Sequence, residues 1–374
     1  MLEETLTPLG WDESWAAALA AHPHTPETPQ PPGDRPAAEH PIPGRVCRAD
    51  RDACDVLVAG THGPTPVTAA WGRAVQRASR DDSTTAPVTG DWVVVAPTPG
   101  GGLAVTGVLP RRTAVVRAQV DGSSHGQVLA ANADIAAVVE GLAPRPVAGR
   151  IERLLALAWS SGARPVVVLT KADLVTDPQA MADDVARLAP GADVLTTSAT
   201  DGSGLAELRA WLAGGSTIAL LGASGVGKST LLNALTGGDV MRTRALRSDG
   251  KGRHTTVTRE LHLIPGGGAI LDTPGMRSIG LAGADALVEV FPEVEDLAAR
   301  CRFADCEHRT EPGCAVLAAV EAGDLPERRL ASYRKLAREA QHRAARTDAR
   351  LRAEMTQVWK ERTREYRRRP DKKR

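Results

Sequence analysis

The sequence has no long apolar segment and few cysteines. No run of about 18 apolar residues occurs, which excludes a membrane-spanning helix. The first residues, MLEETLTPLGW, lack the basic region and apolar stretch of a secretory signal, so we expect a cytoplasmic protein with no membrane contact. Of the five cysteines, three lie close together with a histidine near the C-terminal end, which favours a metal site over a disulfide framework.

Aromatic residues are scarce, at 3% of the sequence. Residues 45–116 contain Trp71 and Trp92 but no Phe or Tyr, so stacking on nucleic-acid bases has weak support there. The same region carries short β-prone runs, DVLVAG, PVTAAW, DWVVVAP and LAVTGVL, separated by Gly, Pro and Asp. This pattern predicts a small barrel or sandwich. The proline-rich stretch before it, residues 22–43, is typical of a linker, and the first 20 residues favour a short amphipathic helix.

The net charge of the whole sequence is close to zero, but the two signs are unevenly distributed along it. The chain has a net charge of +1, yet residues 321–374 hold 18 lysines and arginines against 9 acidic residues. The first 320 residues hold 28 basic against 36 acidic residues. The pattern from Pro326 to Arg369 is helical and rich in arginine. A basic C-terminal end of this kind indicates contact with a polyanion, although a solvated helix explains any single arginine equally well.

The middle of the chain alternates strictly between strand and helix patterns, from DIAAVVEGL through PVVVLT, DVLTTSA and TIALLG to GGAILD. Such alternation predicts a mainly parallel sheet with helices on both faces. Ligands of these sheets bind at the carboxyl ends of the strands. The loops that follow the predicted strands, TKADL, TSATDG, GASGVGKS and TPGMRS, therefore lie where a nucleotide would bind.

The segment LLGASGVGKSTLLNAL has the spacing of a phosphate-binding loop, Gly, four residues and Gly-Lys-Ser, between a strand and a helix. Its backbone amides would surround the phosphates at a helix N-terminus, Lys228 would counter their charge, and Ser229 would offer its hydroxyl to Mg²⁺. A chance glycine-rich turn is the weaker alternative. The predicted phosphate-binding residues are Gly222, Ala223, Ser224, Gly225, Val226, Gly227, Lys228, Ser229 and Thr230.

Three other segments have compatible chemistry. In ILDTPG, Asp272 ends a strand where it would hold a magnesium-bound water, and the amide of Gly275 would meet a γ-phosphate. In TKAD, the Asp173 carboxylate can accept from two adjacent N–H groups of guanine, which adenine does not offer. The residues expected to contact the base are Thr170, Lys171, Asp173, Ser198 and Ala199, the last two from TTSA.

The order of these segments is unusual, because TKAD and TTSA precede the phosphate loop instead of following it. Four compatible motifs, each after a strand, are unlikely to be accidents. We therefore predict a circularly permuted GTPase domain, since such sheets tolerate permutation when the old termini lie close together. The segment after DTPG then leads directly into the C-terminal region.

That region begins CRFADCEHRTEPGC, which provides three thiolates and an imidazole. Four protein ligands complete a tetrahedral zinc shell and leave no open position, so we expect one structural Zn²⁺ per chain. Reduced cysteines without metal are the alternative. The predicted ligands are Cys301, Cys306, His308 and Cys314.

Taken together, TKAD, TSA, GASGVGKSTLLNAL, GRHTT, DTPGMRS and the Cys/His segment resemble the RsgA family of circularly permuted small ribosomal subunit biogenesis GTPases. LGWDESW, GRV and VTGDWV extend the resemblance to nearly the whole chain. It implies a multidomain protein with an N-terminal β-barrel (OB-fold), a central permuted α/β P-loop GTPase domain and a mainly α, zinc-binding C-terminal domain. It also implies binding of the small subunit and its rRNA, action with ribosome assembly factors, and GTP hydrolysis to GDP that the subunit stimulates.

The resemblance implies a role for GRHTT as a switch segment. Thr255 or Thr256 would reach Mg²⁺, and His254 would act on the attacking water, while packing or RNA contact is the alternative for His254. Two positions depart from usual GTPases. Thr170 stands where Asn is common, and Met276 stands where a water-orienting Gln is common. We expect slow intrinsic turnover, with His254, Lys228 and Asp272 as the catalytic residues.

We expect a monomer with four segments: an N-terminal segment and linker (1–44), the OB-fold (45–120), the GTPase domain (121–284) and the C-terminal domain (285–374). Two other functions remain open at this point. One is a GTP-gated rRNA-binding checkpoint protein in which hydrolysis is incidental. The other is a P-loop ATPase or small-molecule kinase, which Asp173 argues against.

Overall fold

The computed structural model describes residues 2–22, 41–117, 126–238, 259–273 and 286–347. The chain forms two compact units. One unit contains the N-terminal segment, a barrel and a six-stranded sheet, and the other contains the C-terminal helices. Among the helices within these ranges, none is both long and apolar enough to span a bilayer.

The N-terminal residues form two short helices, α1 (Leu2–Leu6) and α2 (Glu13–Ala21), instead of the single helix that the sequence pattern favours. A turn containing Pro8 separates them and ends at Gly10, whose φ of 85° suits glycine. Asp12 then caps α2 by accepting from the backbone N–H groups of Ser14 and Trp15, at 3.0 and 3.1 Å.

The barrel is closed, with strand order β1-β2-β3-β5-β4 and β4 paired back to β1. This is the topology of an OB-fold, and it confirms the fold expected for the region. Its core consists mainly of valines. They occupy alternate positions along the strands, whose side chains point inward. The elements are β1 (Ile42–Ala49), β2 (Ala53–Gly60), β3 (Gly63–Trp71), α3 (Arg73–Asp81), β4 (Trp92–Pro97) and β5 (Leu103–Val108).

A two-stranded antiparallel ribbon, β6 (Ala114–Arg117) and β7 (Gln127–Ala131), follows the barrel. The sequence patterns did not predict this ribbon, β1 or α3. Arg45 lies buried where the barrel, the ribbon and the N-terminal turn meet. Its guanidinium donates to the carbonyls of Leu9 and Asn132 and lies 5.4 Å from the centre of the Trp92 ring. The N-terminal segment is thereby fixed against the barrel.

The α/β sheet has strand order β10-β9-β8-β11-β13-β12, with every neighbouring pair parallel except β12 and β13. The predicted alternation of strands and helices is confirmed. Every residue of β8 and β11 is buried, as expected for central strands covered on both faces. The strands are β8 (Ile135–Gly141), β9 (Arg164–Thr170), β10 (Asp193–Thr196), β11 (Thr217–Leu221), β12 (Glu260–Leu263) and β13 (Ala269–Asp272).

Within the described residues, four helices lie between the strands of this sheet. They are α4 (Ala148–Trp159), α5 (Pro178–Ala186), α6 (Leu205–Leu212) and α7 (Lys228–Thr236). Apolar residues of α6 and α7 belong to the core cluster of the sheet, while α4 packs against β8 and β9, and α5 packs against β10. The barrel contacts the edge of the sheet through β1 and β12, and the Thr89 hydroxyl donates to the Arg259 carbonyl at 3.2 Å.

The C-terminal unit is mainly α-helical, as the resemblance implied. Its described residues contain α8 (Ala286–Val290), α9 (Pro292–Ala298), α10 (Ala315–Ala322) and α11 (Glu327–Thr347). Phe291 is fully buried and packs edge-on against Tyr333, with ring centres 5.7 Å apart. The predicted helix from Pro326 to Arg369 is described only as far as α11, and the rest of that prediction lies outside the described residues.

We predict that Gly90→Ala destabilises the unit formed by the barrel and sheet. Gly90 has a φ of 95°, and an added Cβ would lie 2.1 Å from the Ala131 carbonyl oxygen. The free energy of unfolding should fall by about 2–4 kcal/mol, measured by chemical denaturation. Gly101→Ala is the matched control, because Gly101 has a similar φ of 78° but nothing within 4 Å of the added Cβ. A cost of about 1 kcal/mol is expected there from the backbone alone, and equal losses would contradict the steric argument.

Candidate functional site

The phosphate loop lies between β11 and α7, as the motif predicts. Gly222 must be glycine, since a Cβ there would lie 2.5 Å from the Val139 carbonyl oxygen on the neighbouring strand. Gly225 and Gly227 have φ angles of 84° and 104°, which turn the chain into the N-terminus of α7. The loop therefore presents backbone amides at a helix N-terminus, the arrangement that binds phosphate.

Lys228 is the first residue of α7 and is buried. Its ammonium group donates to the carbonyls of Gly222 and Ala223, at 2.7 and 2.9 Å, so it lies folded over the phosphate loop. Burial lowers the pKa of the Lys228 amine, and the negative charge of Asp272 opposes that shift. A buried cation at this position can attract an anionic ligand strongly.

Asp272 ends β13, and its backbone is paired in register with Leu220 at the end of β11. Parallel pairing places it beside the phosphate loop, and its side chain is buried. The next residue, Thr273, donates its hydroxyl to the Leu220 carbonyl and holds the two strand ends together. This position suits an acceptor for a cation near the phosphates.

The base-reading segment follows β9, two strands from β11. Asp173 is exposed, and its carboxylate accepts a hydrogen bond of 2.7 Å from the buried Ser198 hydroxyl. The Ser198 oxygen also accepts from the backbone N–H of Thr200 at 3.1 Å. The side chain of Ser198 therefore orients the carboxylate that is predicted to contact guanine. Ala199 follows it and is half-buried.

Thr170 and Lys171 join the base-reading segment to the phosphate loop. The buried Thr170 hydroxyl donates to the Val226 carbonyl. Lys171 takes a left-handed backbone conformation, with φ 63°, and its ammonium group donates to the Gly225 carbonyl at 2.9 Å. Both contacts end in the phosphate loop, so the two predicted ligand-binding segments form one site.

The structure thus brings together the described candidates of the phosphate loop and the base-reading segments, with Asp272 beside them. Ser224 and Gly225 are exposed at the turn of the phosphate loop, and Ser229 and Thr230 are exposed in the first turn of α7. Five predicted residues lie outside the described part of the chain: His254, Thr255, Thr256, Gly275 and Met276.

A second cluster lies in the C-terminal unit and contains the four predicted metal ligands. Their ligand atoms all lie within 4.8 Å of one another. The sulfurs of Cys301 and Cys314 are 3.8 Å apart, and they lie 3.6 and 3.5 Å from Nδ1 of His308. A tetrahedron with Zn–S bonds of about 2.3 Å has sulfur–sulfur edges of about 3.8 Å. The cluster, which Cys306 completes, could hold one metal ion.

Two residues that the sequence reasoning missed support this cluster. The Glu311 carboxylate accepts from the backbone N–H groups of Glu307, Arg309 and Thr310. Its own backbone N–H, followed by these three, lowers the pKa of Glu311 to about 2. Arg334 on α11 donates to the His308 carbonyl. The Glu311 contacts are local, and an acidic residue inside a Cys/His loop is a usable sequence signal for them. The Arg334 contact spans 26 residues and has no such signal.

The strand order and the joined loops define the class of protein: a P-loop GTPase whose base-reading strands β9 and β10 precede the phosphate loop along the chain. A profile of the RsgA GTPase family matches residues 108–282. Proteins named small ribosomal subunit biogenesis GTPase RsgA are 50% identical over 360 residues in Streptomyces avermitilis and 50% over 362 residues in Streptomyces coelicolor. These matches cover 95% and 96% of this chain and 91% and 92% of the relatives.

The solved structures agree with the sequence relatives. The crystal structure of YjeQ from Thermotoga maritima is 26% identical, with a TM-score of 0.57, and covers 80% of this chain and 99% of that one. The structure of YloQ, described as a circularly permuted GTPase, shares the fold with a TM-score of 0.55 at 24% identity, over 83% of this chain and 99% of that one. The chain belongs to the RsgA GTPase family and is a GTPase.

We predict that Thr170→Val weakens binding of GDP and GTP about fivefold to tenfold. Valine has nearly the same shape but leaves the Val226 carbonyl without its donor, which loosens the join between the two loops. Titration with a fluorescent guanine nucleotide measures the change. Thr170→Ser keeps the hydroxyl and should bind within about twofold of the unaltered protein. Equal affinity for the valine variant would show that the join is dispensable.

We also predict that the purified protein carries one metal ion per chain. Cys306→Ser should lose at least half of that metal, because the remaining two thiolates and imidazole no longer close the shell. Elemental analysis after metal-replete expression measures the content. Cys47→Ser is the matched control, because Cys47 belongs to the barrel strand β1 and should leave the metal content unchanged. Less than half an equivalent in the unaltered protein would contradict the assignment.

Proposed function

We propose that this protein binds the small ribosomal subunit and hydrolyses GTP to GDP and phosphate during late maturation of that subunit. The observation that carries the proposal is the pair of hydrogen bonds that join the predicted guanine-binding loop to the phosphate loop. These loops belong to a chain that is 50% identical, over nearly its whole length, to proteins named for small-subunit biogenesis. In this proposal the subunit stimulates hydrolysis.

The residues of the site divide the work as follows. Asp173, oriented by Ser198, selects guanine, since its carboxylate accepts from two N–H groups of the base. Lys228 turns from the loop carbonyls toward the outer phosphates when nucleotide binds. Ser229, Asp272 and either Thr255 or Thr256 would hold Mg²⁺, which would neutralise the charge that develops on the phosphates. The amide of Gly275 would meet the γ-phosphate.

His254 would orient the attacking water, because Met276 has no hydrogen-bonding group able to do so. Histidine suits this role near neutral pH. The slow intrinsic reaction then depends on the subunit to bring His254 into position, which accounts for stimulation. Contact of His254 with RNA is the competing assignment.

The metal of the C-terminal unit would be a structural Zn²⁺, since three thiolates and one imidazole suit zinc and leave no position for a substrate. We further propose contacts with the rRNA of the subunit, cooperation with ribosome assembly factors, a monomeric state and a cytoplasmic location. The segment boundaries 1–44, 45–120, 121–284 and 285–374 are proposed as the functional division of the chain.

Single-turnover GTP hydrolysis with and without purified small subunits tests the proposed function. We expect the subunits to raise the rate, and His254→Ala to lower the stimulated rate about a hundredfold. GTP affinity and subunit binding should stay within about twofold in this variant. A variant that binds subunits poorly would assign His254 to recognition instead. Subunit binding that depends on GTP, with no stimulation of hydrolysis, would favour a GTP-gated checkpoint protein.

A further inference from the structure

Phe303 has an unusual position in the metal-binding loop of the C-terminal unit. It lies between the ligands Cys301 and Cys306, and its side chain is 41% exposed. No other aromatic side chain in the described ranges is as exposed as that of Phe303. The only other phenylalanine in the sequence, Phe291, is fully buried. The sequence contains few aromatic rings, and one of them is exposed to solvent beside the four predicted metal ligands.

Backbone hydrogen bonds hold the loop that carries this ring. The backbone N–H of Arg302 donates to the Gly313 carbonyl at 3.2 Å, and that of Cys306 donates to the Phe303 carbonyl at 3.3 Å. The Arg302 guanidinium lies 5.5 Å from the centre of the Phe303 ring. A ring on a hydrogen-bonded loop loses less backbone freedom when a partner arrives than a ring on an unstructured segment.

The surroundings of the ring favour one kind of partner. The neighbouring residues Arg302, Ala304 and Asp305 are exposed, so the ring is not part of a broad apolar patch. A stable protein interface needs about 1,000 Å² of buried surface, whereas a nucleic-acid base needs a single ring face on which to stack. Arginine beside an aromatic ring adds a cation for the adjoining phosphate.

The charge of the loop separates this contact from ordinary attraction to a polyanion. Residues 300–314 contain three arginines and three acidic residues, so the loop has no net charge apart from its histidine. Phosphate contacts produce a steep salt dependence, but stacking does not. The contribution of the Phe303 ring itself should therefore be insensitive to salt, unlike phosphate contacts made by Arg302 or by the arginine-rich C-terminal end.

We propose that Phe303, supported by Arg302, is a stacking platform for an unpaired base of RNA. This inference rests on the proposed function for the source of the RNA, a ribosomal subunit. The stacking chemistry itself follows from the exposed ring, the adjacent guanidinium and the metal-linked loop.

The test compares full-length Phe303→Ala, Phe303→Leu and Phe303→Tyr with the unaltered protein. Binding is measured to small subunits, and to the small-subunit rRNA freed of its proteins, over a range of salt concentrations. The Ala and Leu variants should bind both about tenfold more weakly, the Tyr variant within about twofold, and the salt slope should not change. Val288→Ala is the matched control, since Val288 is 50% exposed in the same unit and should bind normally.

Each opposing result has a distinct meaning. Full affinity of the Leu variant would replace stacking by simple apolar contact and overturn the proposal. Losses seen with subunits but not with the freed rRNA would assign the ring to a protein partner and overturn it as well. Binding of the unaltered protein to rRNA but not to subunits would refute the proposed function, while the variants would still decide the stacking platform.

Discussion

The hydrogen bond from the Thr170 hydroxyl to the Val226 carbonyl is the contact on which the nucleotide site depends. It joins the TKAD loop, which is predicted to contact the base, to the predicted phosphate loop, although 56 residues separate the two along the chain. Lys171 adds a second connection to Gly225. These contacts become possible because only β8 lies between β9 and β11 in the sheet. Thr170 supplies this donor at a position where asparagine is more common in GTPases.

The permuted order changes the connections of the sheet but not its chemistry. β11 still lies between β8 and β13, so the phosphate loop and Asp272 meet at the same edge as the base-reading segment. A parallel sheet places the carboxyl ends of its strands together whatever their order along the chain. The permutation does alter the order of the chain, since β13 is now followed in sequence by the C-terminal unit.

The C-terminal unit differs from the first unit in the source of its stability. It has a small core around Phe291, Val294 and Leu330, and a core of this size contributes limited stability. A metal held by four side chains can order the loop before α10, and the Glu311 carboxylate and Arg334 support the loop from two sides. The same loop carries the exposed ring of Phe303.

The sequence by itself determined the class of the protein, because phosphate loops, guanine-reading carboxylates and Cys/His clusters need particular residues at short, readable spacings. It also predicted the alternation of strands and helices that forms the sheet, since buried parallel strands have continuous apolar runs. Only the tertiary structure decided how these parts meet. Two features depend on contacts distant in sequence: Ser198 orients Asp173, and Arg45 fixes the N-terminal segment. The two short helices depend on the local turn at Pro8, which periodicity does not encode. Such contacts are set by packing, which brings together residues that no local spacing relates.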